Sequence, residues 1–424
     1  MPLDDGLLVT LPVGMMDSPP ALYRPRDFSV FLSTRFLATV AMQIQSVAVG
    51  WQIYDIAHSP LALGLVGLCQ FVPMFLLTLP AGDIVDRHDQ RRVFAISLIV
   101  EAACGVLFLG LTIAHVTLAW PFYTVLILFG AARGFSGPSS QSLLPFLVPP
   151  EGLPRAIAWS SSTFQVAVIA GPAVGGLLYV LGPTAAYAAC AVCFLGAGIG
   201  VATLGGRRIV RTGQGDMSAV ERVSEGVHFV RRRPVVLGAM SLDLFAVLLG
   251  GASALLPAFA RDILHVGPVG LGLLRSAPAV GAAVVAIALG RHPIARGTGW
   301  KMFLAVAIFG AATIVFGLSR NFYLTLVSLA ILGGSDMVSV FVRTALIQYA
   351  TPDPMRGRVS AVSMLFIGAS NELGGFESGI TAAWFGTVPA VVVGGIGTLI
   401  VVALWMWMFP PLRKIDRLRD AETV

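Results

Sequence analysis

The sequence predicts an all-α polytopic membrane protein with twelve transmembrane helices in two pseudo-symmetric six-helix bundles. Three observations predict it. Hydrophobic residues make up 56% of the 424 residues and charged ones 12%, about half the charged share of an average soluble protein, and mean hydropathy is +0.84. Apolar runs long enough to cross a bilayer recur along the whole chain. Basic residues gather in alternate connections between those runs. This composition excludes a disordered chain, a collagen-like chain and an ordinary soluble enzyme. The 47 glycines and 26 prolines follow no triplet period. They sit within apolar runs, where membrane helices tolerate them better than soluble ones do.

A crossing needs about 20 apolar residues. The runs lie at about 30–55, 60–84, 93–114, 119–142, 156–180, 183–205, 235–260, 267–290, 300–319, 322–348, 359–386 and 388–409. Breaks between them fall at charges or at Pro/Gly pairs such as Gly182-Pro183 and Gly267-Pro268. The chain therefore divides into an N-terminal segment (1–29), a first bundle (30–205), a linker (206–234), a second bundle (235–410) and a tail (411–424). With both termini cytoplasmic, 22 of the 28 Lys and Arg fall in cytoplasmic segments and two, Arg261 and Arg320, in outer loops. That asymmetry is the positive-inside pattern. Arg35, Arg133, Arg275 and Arg343 lie inside spans. The net charge of +6 then reflects loops facing an anionic leaflet, and no nucleic-acid partner is implied. In the linker, Val220, Val223, Val227 and Val230 recur at helical spacing within and beside Met217–Phe229, which predicts an amphipathic helix on the cytoplasmic surface.

Several chemistries find no support. The four cysteines (Cys69, Cys104, Cys190, Cys193) lie in apolar runs and no Cys/His spacing resembles a zinc site, so no metal or cofactor is expected. Lysine occurs twice, at Lys301 and Lys414, and no GxxxxGK[ST] loop is present. The acidic start (Asp4, Asp5) lacks the basic region of a cleaved signal peptide. No nucleophile–base arrangement points to an enzyme.

The halves look related. A shift of 203 residues brings Pro149 onto Pro352, Arg155 onto Arg358, Ala158 onto Ala361, Gly130 onto Gly333, Gly171 onto Gly374, and Arg133 onto Asp336. Two related six-helix halves suggest a transporter with its substrate cavity between them near the midplane.

After the second span stands Gly82-Asp83-Ile84-Val85-Asp86-Arg87-His88-Asp89-Gln90-Arg91-Arg92. Gly82 would permit close helix approach, Asp86 could cap or pair with a helix end, and the arginines could bridge loops or lipid phosphate. Simple topology-setting charge explains the same cluster. The string resembles motif A of the major facilitator superfamily through Gly82, Asp86, Arg87, Arg91 and Arg92. Arg133-Gly134-Phe135-Ser136-Gly137 resembles its motif B, and Gly171-Pro172-Ala173-Val174-Gly175-Gly176 its motif C, which is associated with antiporters. The second-half counterpart of motif A, near Gly290 to Arg296, is degenerate. A narrower resemblance, to the enterobactin-exporter-like and macrolide-efflux (MFS_3-type) group, rests on Thr351–Val359 and on Leu255-Leu256-Pro257-Ala258-Phe259-Ala260. It implies the major facilitator fold and a proton-coupled exporter of a siderophore-like or hydrophobic drug-like small molecule, a monomer in the cell inner membrane.

Charges inside a membrane are functional candidates by default. Asp336 and Arg343 are seven residues apart, so they share a helix face about 10 Å apart. Arg133 occupies the matching place in the first half, and an Arg133–Asp336 interaction is expected. A static ion pair stabilising the bundle is the rival reading. Glu372 lies about 20 Å into its span. With Asp243 and Asp336 it ranks ahead of Glu377 as a proton carrier. Arg275 and Glu101 are weaker candidates. Gln43, Gln45, Gln165 and Asn371 are candidates for substrate contact, though glutamines also join helices. Phe71, Phe164, Phe245 and Phe341 are candidate cavity aromatics. Trp51, Trp405 and Trp407 read as interface anchors, and Gly171-Pro172 predicts a bend packed closely on a neighbour such as the eighth span. An importer or lipid flippase of the same fold, or a sensor or scaffold that moves nothing, remains open from sequence.

Overall fold

A computed structural model describes residues 25–205, 219–418 and 420. Expectations for 1–24, 206–218, 419 and 421–424 lie outside the described residues. Among the described residues every regular element is helical. The first half contains α1 (Pro25–Ala57), α2 (Pro60–Arg87), α3 (Gln90–Ile113), α4 (Trp120–Leu143), α5 (Leu153–Val180) and α6 (Pro183–Ala202). The second contains α7 (Pro234–Ile263), α8 (Pro268–Arg291), α9 (Thr298–Leu318), α10 (Phe322–Ala350), α11 (Asp353–Phe385) and α12 (Thr387–Met408). An unnumbered linker helix (Ala219–Arg232) joins them.

Local chemistry sets the ends. Pro60, Pro183, Pro234 and Pro268 open their helices at the position where a missing N–H costs least. The Asn321 side chain caps α10, accepting from the N–H groups of Tyr323 and Leu324 at 2.9 and 3.1 Å. α1, α3 and α7 all stop at a histidine in the left-handed conformation, His58, His115 and His265. The helices α1 and α11 begin a turn or more before the apolar runs they contain, because the polar turn outside lipid continues the same hydrogen-bond ladder.

Ten of the twelve long helices are long and apolar enough by composition to cross a membrane. The other two are α4 and α11. Arg133, Ser136, Ser139 and Ser140 in α4, and Arg356, Arg358, Asn371, Glu372 and Glu377 in α11, dilute their apolar character. Helices bordering a polar interior need not be apolar all round. Each half has its own core. Phe31, Phe108, Phe122, Phe129, Tyr187 and Phe194 pack in the first, and Val236, Met240, Phe303, Val342, Leu346 and Trp405 in the second. Leu76, Ile96, Val192, Val284 and Trp407 point outward and are exposed, as lipid-facing residues are.

The matched glycines of the two halves do matching work. A methyl group at Gly171 would come 2.6 Å from Cβ of Gln43 on α1, and one at Gly374 would come 2.8 Å from the Val247 carbonyl on α7. α5 thus leans on α1 as α11 leans on α7. Likewise Gly130 on α4 meets the α2 backbone at Gln70, and Gly333 on α10 meets the α8 backbone at Pro278.

Three expectations change. The linker helix is amphipathic, but its apolar stripe is spent on protein: Val230 is buried, Val223 and Val227 pack on the second core, Gly226 abuts Arg358 and Val362 of α11, and Glu225 pairs with Arg358. Trp405 is a core residue, its Nε1 donating to Ser241 Oγ at 3.0 Å, and is no interface anchor. Gly82 has open space where a Cβ would stand, so close helix approach does not explain it in this conformation.

Candidate functional site

The halves meet along two helix pairs, α5 with α8 and α2 with α11. Between them lies a cavity of 390 Å³ bordered by α1, α2, α4 and α5 of one half and α7, α8 and α11 of the other. Its polar surface comes from Gln43, Gln45 and Ser46 on α1, Gln70 on α2, Arg133 on α4, Ser253 on α7, Arg275 on α8, and Asn371 and Glu372 on α11. Pro172 of α5 and Leu63, Val66 and Leu126 supply apolar wall. The volume falls within the usual range for small-molecule sites, about 300–1,000 Å³.

At the face carrying only Arg261 and Arg320 the cavity is closed by backbone contact. A methyl group at Gly176 would lie 2.5 Å from the Pro268 carbonyl and 3.1 Å from Val269 Cα, while Gly272 abuts Pro172. A methyl group at Gly379 would lie 2.9 Å from Gly64 Cα. Two side-chain contacts tie α1 to α7 at the same face: Asp55 pairs with Arg261, and Tyr54 donates to Asp262. Arg261 and Asp262 stand on a π-helical turn, Phe259–Ile263, that ends α7. One extra residue in that turn changes which side chains point at α1. The GPxxGG string therefore forms seams with both α1 and α8, the close packing expected of it.

The intramembrane charges form two groups. Glu372 stands against Gly67, where a methyl group would lie 3.0 Å from its carboxylate oxygen, and Arg133 exerts its charge on both Glu372 and Glu101. Away from the cavity, Asp243 of α7 pairs with Arg343 of α10, both nearly solvent-free at 7% and 3% exposure. Asp336 and Ser339 border the same small cleft as Asp243. The expected Arg133–Asp336 meeting does not occur: Arg133 faces the central cavity and Asp336 the cleft beside Asp243. The repeat register located both residues correctly along their helices. It could not supply the rotation of each helix about its axis.

Other expected contacts sort between cavity and scaffold. Gln43 and Gln45 border the cavity, and each also bonds a neighbouring helix, Gln43 Nε2 donating to the Val168 carbonyl at 3.4 Å and Gln45 Oε1 accepting from Cys190 Sγ at 3.6 Å. Gln165 joins α5 to α8 by donating to the Ala279 carbonyl at 3.2 Å, outside the cavity lining. Asn371 borders the cavity while its Nδ2 donates to the Ile367 carbonyl at 2.8 Å. Glu377 accepts from Thr381 at 2.7 Å on its own helix and is not a lining residue. Glu101 accepts from Ser136 at 2.8 Å, tying α3 to α4. None of Phe71, Phe164, Phe245 and Phe341 borders the cavity. Sequence reasoning missed Ser46, Gln70 and Ser253 and underrated Arg275, whose guanidinium donates to Ser46 Oγ across the halves. Its place inside a span was already legible, alongside Arg35, Arg133 and Arg343; its facing the cavity was not.

In the motif A segment, Asp89 caps α3 by accepting from the Arg91 N–H at 3.1 Å. Arg91 donates to the Leu204 carbonyl at 3.0 Å, fastening the α2–α3 connection to the end of α6. Arg92 lies 4.0 Å from Asp89, and the Arg87 side chain is exposed. The side chain of Asp86 lies outside the described residues.

A helical body of paired six-helix bundles around a cavity between them is the form of a membrane transporter of the major facilitator fold, and the comparisons agree. The profile of a family described as transmembrane secretion effector matches residues 18–422. The chain belongs to that family of the major facilitator superfamily and is a transporter rather than an enzyme. It is 26% identical to the enterobactin exporter EntS of Shigella boydii serotype 18 over 92% of this chain and 93% of the relative. The same figures hold for EntS of Escherichia coli O1:K1. Among solved structures, a point mutant of the nucleoside transporter NupG superposes with a TM-score of 0.71 at 14% identity, covering 90% of this chain and 100% of that one. A bacterial homologue of the human lysosomal transporter Spinster, inward-facing and occupied, gives 0.67 at 13% identity, covering 93% and 97%.

Proposed function

We propose that the protein is a proton-coupled exporter, an antiporter that moves a siderophore-like or hydrophobic drug-like small molecule out of the cell by alternating access. The observation that carries this reading is the cavity between the halves, closed at the arginine-poor face and flanked by charges sunk within the helices. The basic loops orient the arginine-rich face, with both termini, to the cytoplasm of the inner membrane. The closed face is then the outer one, and the state described is closed to the exterior. Asp243, Asp336 and Glu372 handle the proton, with Arg343 and Arg133 as their cationic neighbours. Glu377 is a reserve carrier. Gln43, Gln45 and Asn371 contact the substrate, and Gln165 holds the α5–α8 seam. The segment Gly82–Arg92 sets the balance of states at the inner face. The protein works as a monomer, since each chain encloses a complete cavity.

Coupling requires that proton and substrate differ in their affinity for the two states. The likeness to enterobactin exporters supports the direction and the siderophore-like cargo. The test is transport in proteoliposomes across an imposed proton gradient with a panel of siderophores, macrolides and dyes. Expected is gradient-dependent movement opposite to the proton flow for at least one class. Movement with the proton flow would make the protein an importer, gradient-independent lipid movement would make it a flippase, and no transport in either orientation would return it to a sensor or scaffold.

A further inference from the structure

We propose that the central cavity is an anion site: its cargo carries a carboxylate, sulfonate or ionised phenol, held by Arg275 and Arg133 from opposite halves. The inference rests on the exporter reading and adds the chemical class of what is carried. The charged side chains bordering the cavity are Arg133, Arg275 and Glu372. Two guanidiniums border the cavity against one bordering carboxylate; the second acid beside Arg133, Glu101, lies off the lining and is bonded to Ser136, so the uncompensated cation at the cavity wall is Arg275. Asp243 answers Arg343 with a carboxylate, whereas two other arginines within spans, Arg35 and Arg275, each meet a hydroxyl, Ser160 and Ser46. Of these two, Arg275 borders the cavity. Among the described residues it has a hydroxyl partner, Ser46, no carboxylate within ion-pair distance, and a fully enclosed Nε without a hydrogen-bond partner. A desolvated cation without a counter-charge is costly. Within a membrane-spanning body such a group marks a substrate path. The missing counter-charge arrives with the cargo, and the planar guanidinium fork suits the two oxygens of a carboxylate or sulfonate. Leu63, Val66 and Leu126 then accept the apolar body of the same molecule.

Charge arithmetic narrows the proton's place. Neutralising Glu372 increases the cavity's positive excess and so strengthens anion binding. That is the sense of cotransport, and an exporter needs the opposite. The three proton carriers proposed above therefore narrow to two: Glu372 balances the empty cavity, and the exchangeable proton belongs to the cleft of Asp243 and Asp336 beside Arg343.

Equilibrium dialysis of the full chain in nanodiscs, with 2-naphthoate and its neutral isostere 2-naphthamide as probes, tests this. Naphthoate should bind about tenfold more tightly than naphthamide, the discrimination expected of a charged hydrogen-bonded partner. Arg275→Gln should erase that difference and Arg275→Lys restore part of it. Glu372→Gln should tighten naphthoate and leave naphthamide unchanged. Opposite signs at Arg275 and Glu372 separate an anion site from two residues that merely support the fold, which would lose both probes together. Equal binding of the two probes, no naphthoate binding at millimolar concentration, or weakening by Glu372→Gln with an unaltered melting profile overturns the proposal. Dialysis needs no gradient. Transport of a neutral panel member with charge-blind binding would therefore sink this inference alone, and anion binding without transport would sink the exporter reading alone.

Discussion

Asp243 and Arg343 form an ion pair with almost no solvent exposure, and neither has a ready substitute. Removing one partner of such a pair leaves an uncompensated buried charge and costs about 3–5 kcal/mol. Asp243→Asn should therefore lower the thermal midpoint in detergent strongly. An Asp243→Asn/Arg343→Met double change, which removes the charge as well, should recover most of the loss. If the cleft exchanges the proton, the recovered protein should still exchange substrate across a vesicle membrane but no longer respond to a proton gradient. Both residues were legible as charges inside spans. Their partnership was not, because the rotation of α7 against α10 follows from packing that no spacing rule encodes. Asp336 shows the same limit: its position along the helix was readable, and the cleft it faces was not.

At the scale of elements, backbone proximity decides which glycines matter. Gly374 abuts carbonyls of α7, and these cannot move aside as a side-chain tip would. Gly374→Ala should cost about 1–3 kcal/mol, the range for overpacking, measurable as loss of the folded fraction on heating. Gly82→Ala meets open space and gains helix propensity, so it should be neutral or stabilising by up to about 1 kcal/mol. If it nonetheless slows transport in vesicles, the motif A glycine acts in the other conformation, where the inner face closes. The linker helix was legible from its valine spacing. What its apolar stripe would cover was not, since lipid and a neighbouring helix present the same chemistry to a row of valines.

At the scale of the molecule, the long helices, the repeat and the arginine asymmetry were all open to reading, because bilayer thickness and charge sorting act on local sequence. Which face is shut depends on how two halves tilt, and no single segment carries that. The Asp55–Arg261 pair is partly exposed, with side-chain exposures of 41% and 35%, so it contributes about 0.2–1 kcal/mol to closure. Arg261→Gln should raise the outward-open population by up to about fivefold, the equivalent of 1 kcal/mol. Labelling of a cysteine placed at Ser253 with an impermeant maleimide, in a background lacking the four native cysteines, would report it. Gly176→Leu should do far more, because its side chain would have to occupy the Pro268 carbonyl's place. The seal over the cavity is chiefly peptide against peptide, with glycine on at least one side of each join. Apart from the Asp55–Arg261 pair and the Tyr54–Asp262 hydrogen bond, parting it frees few long side chains, so the switch involves little rotamer entropy and chiefly trades dispersion for hydration. A seal of that kind needs only a small bias to part, of the size that binding one small molecule supplies.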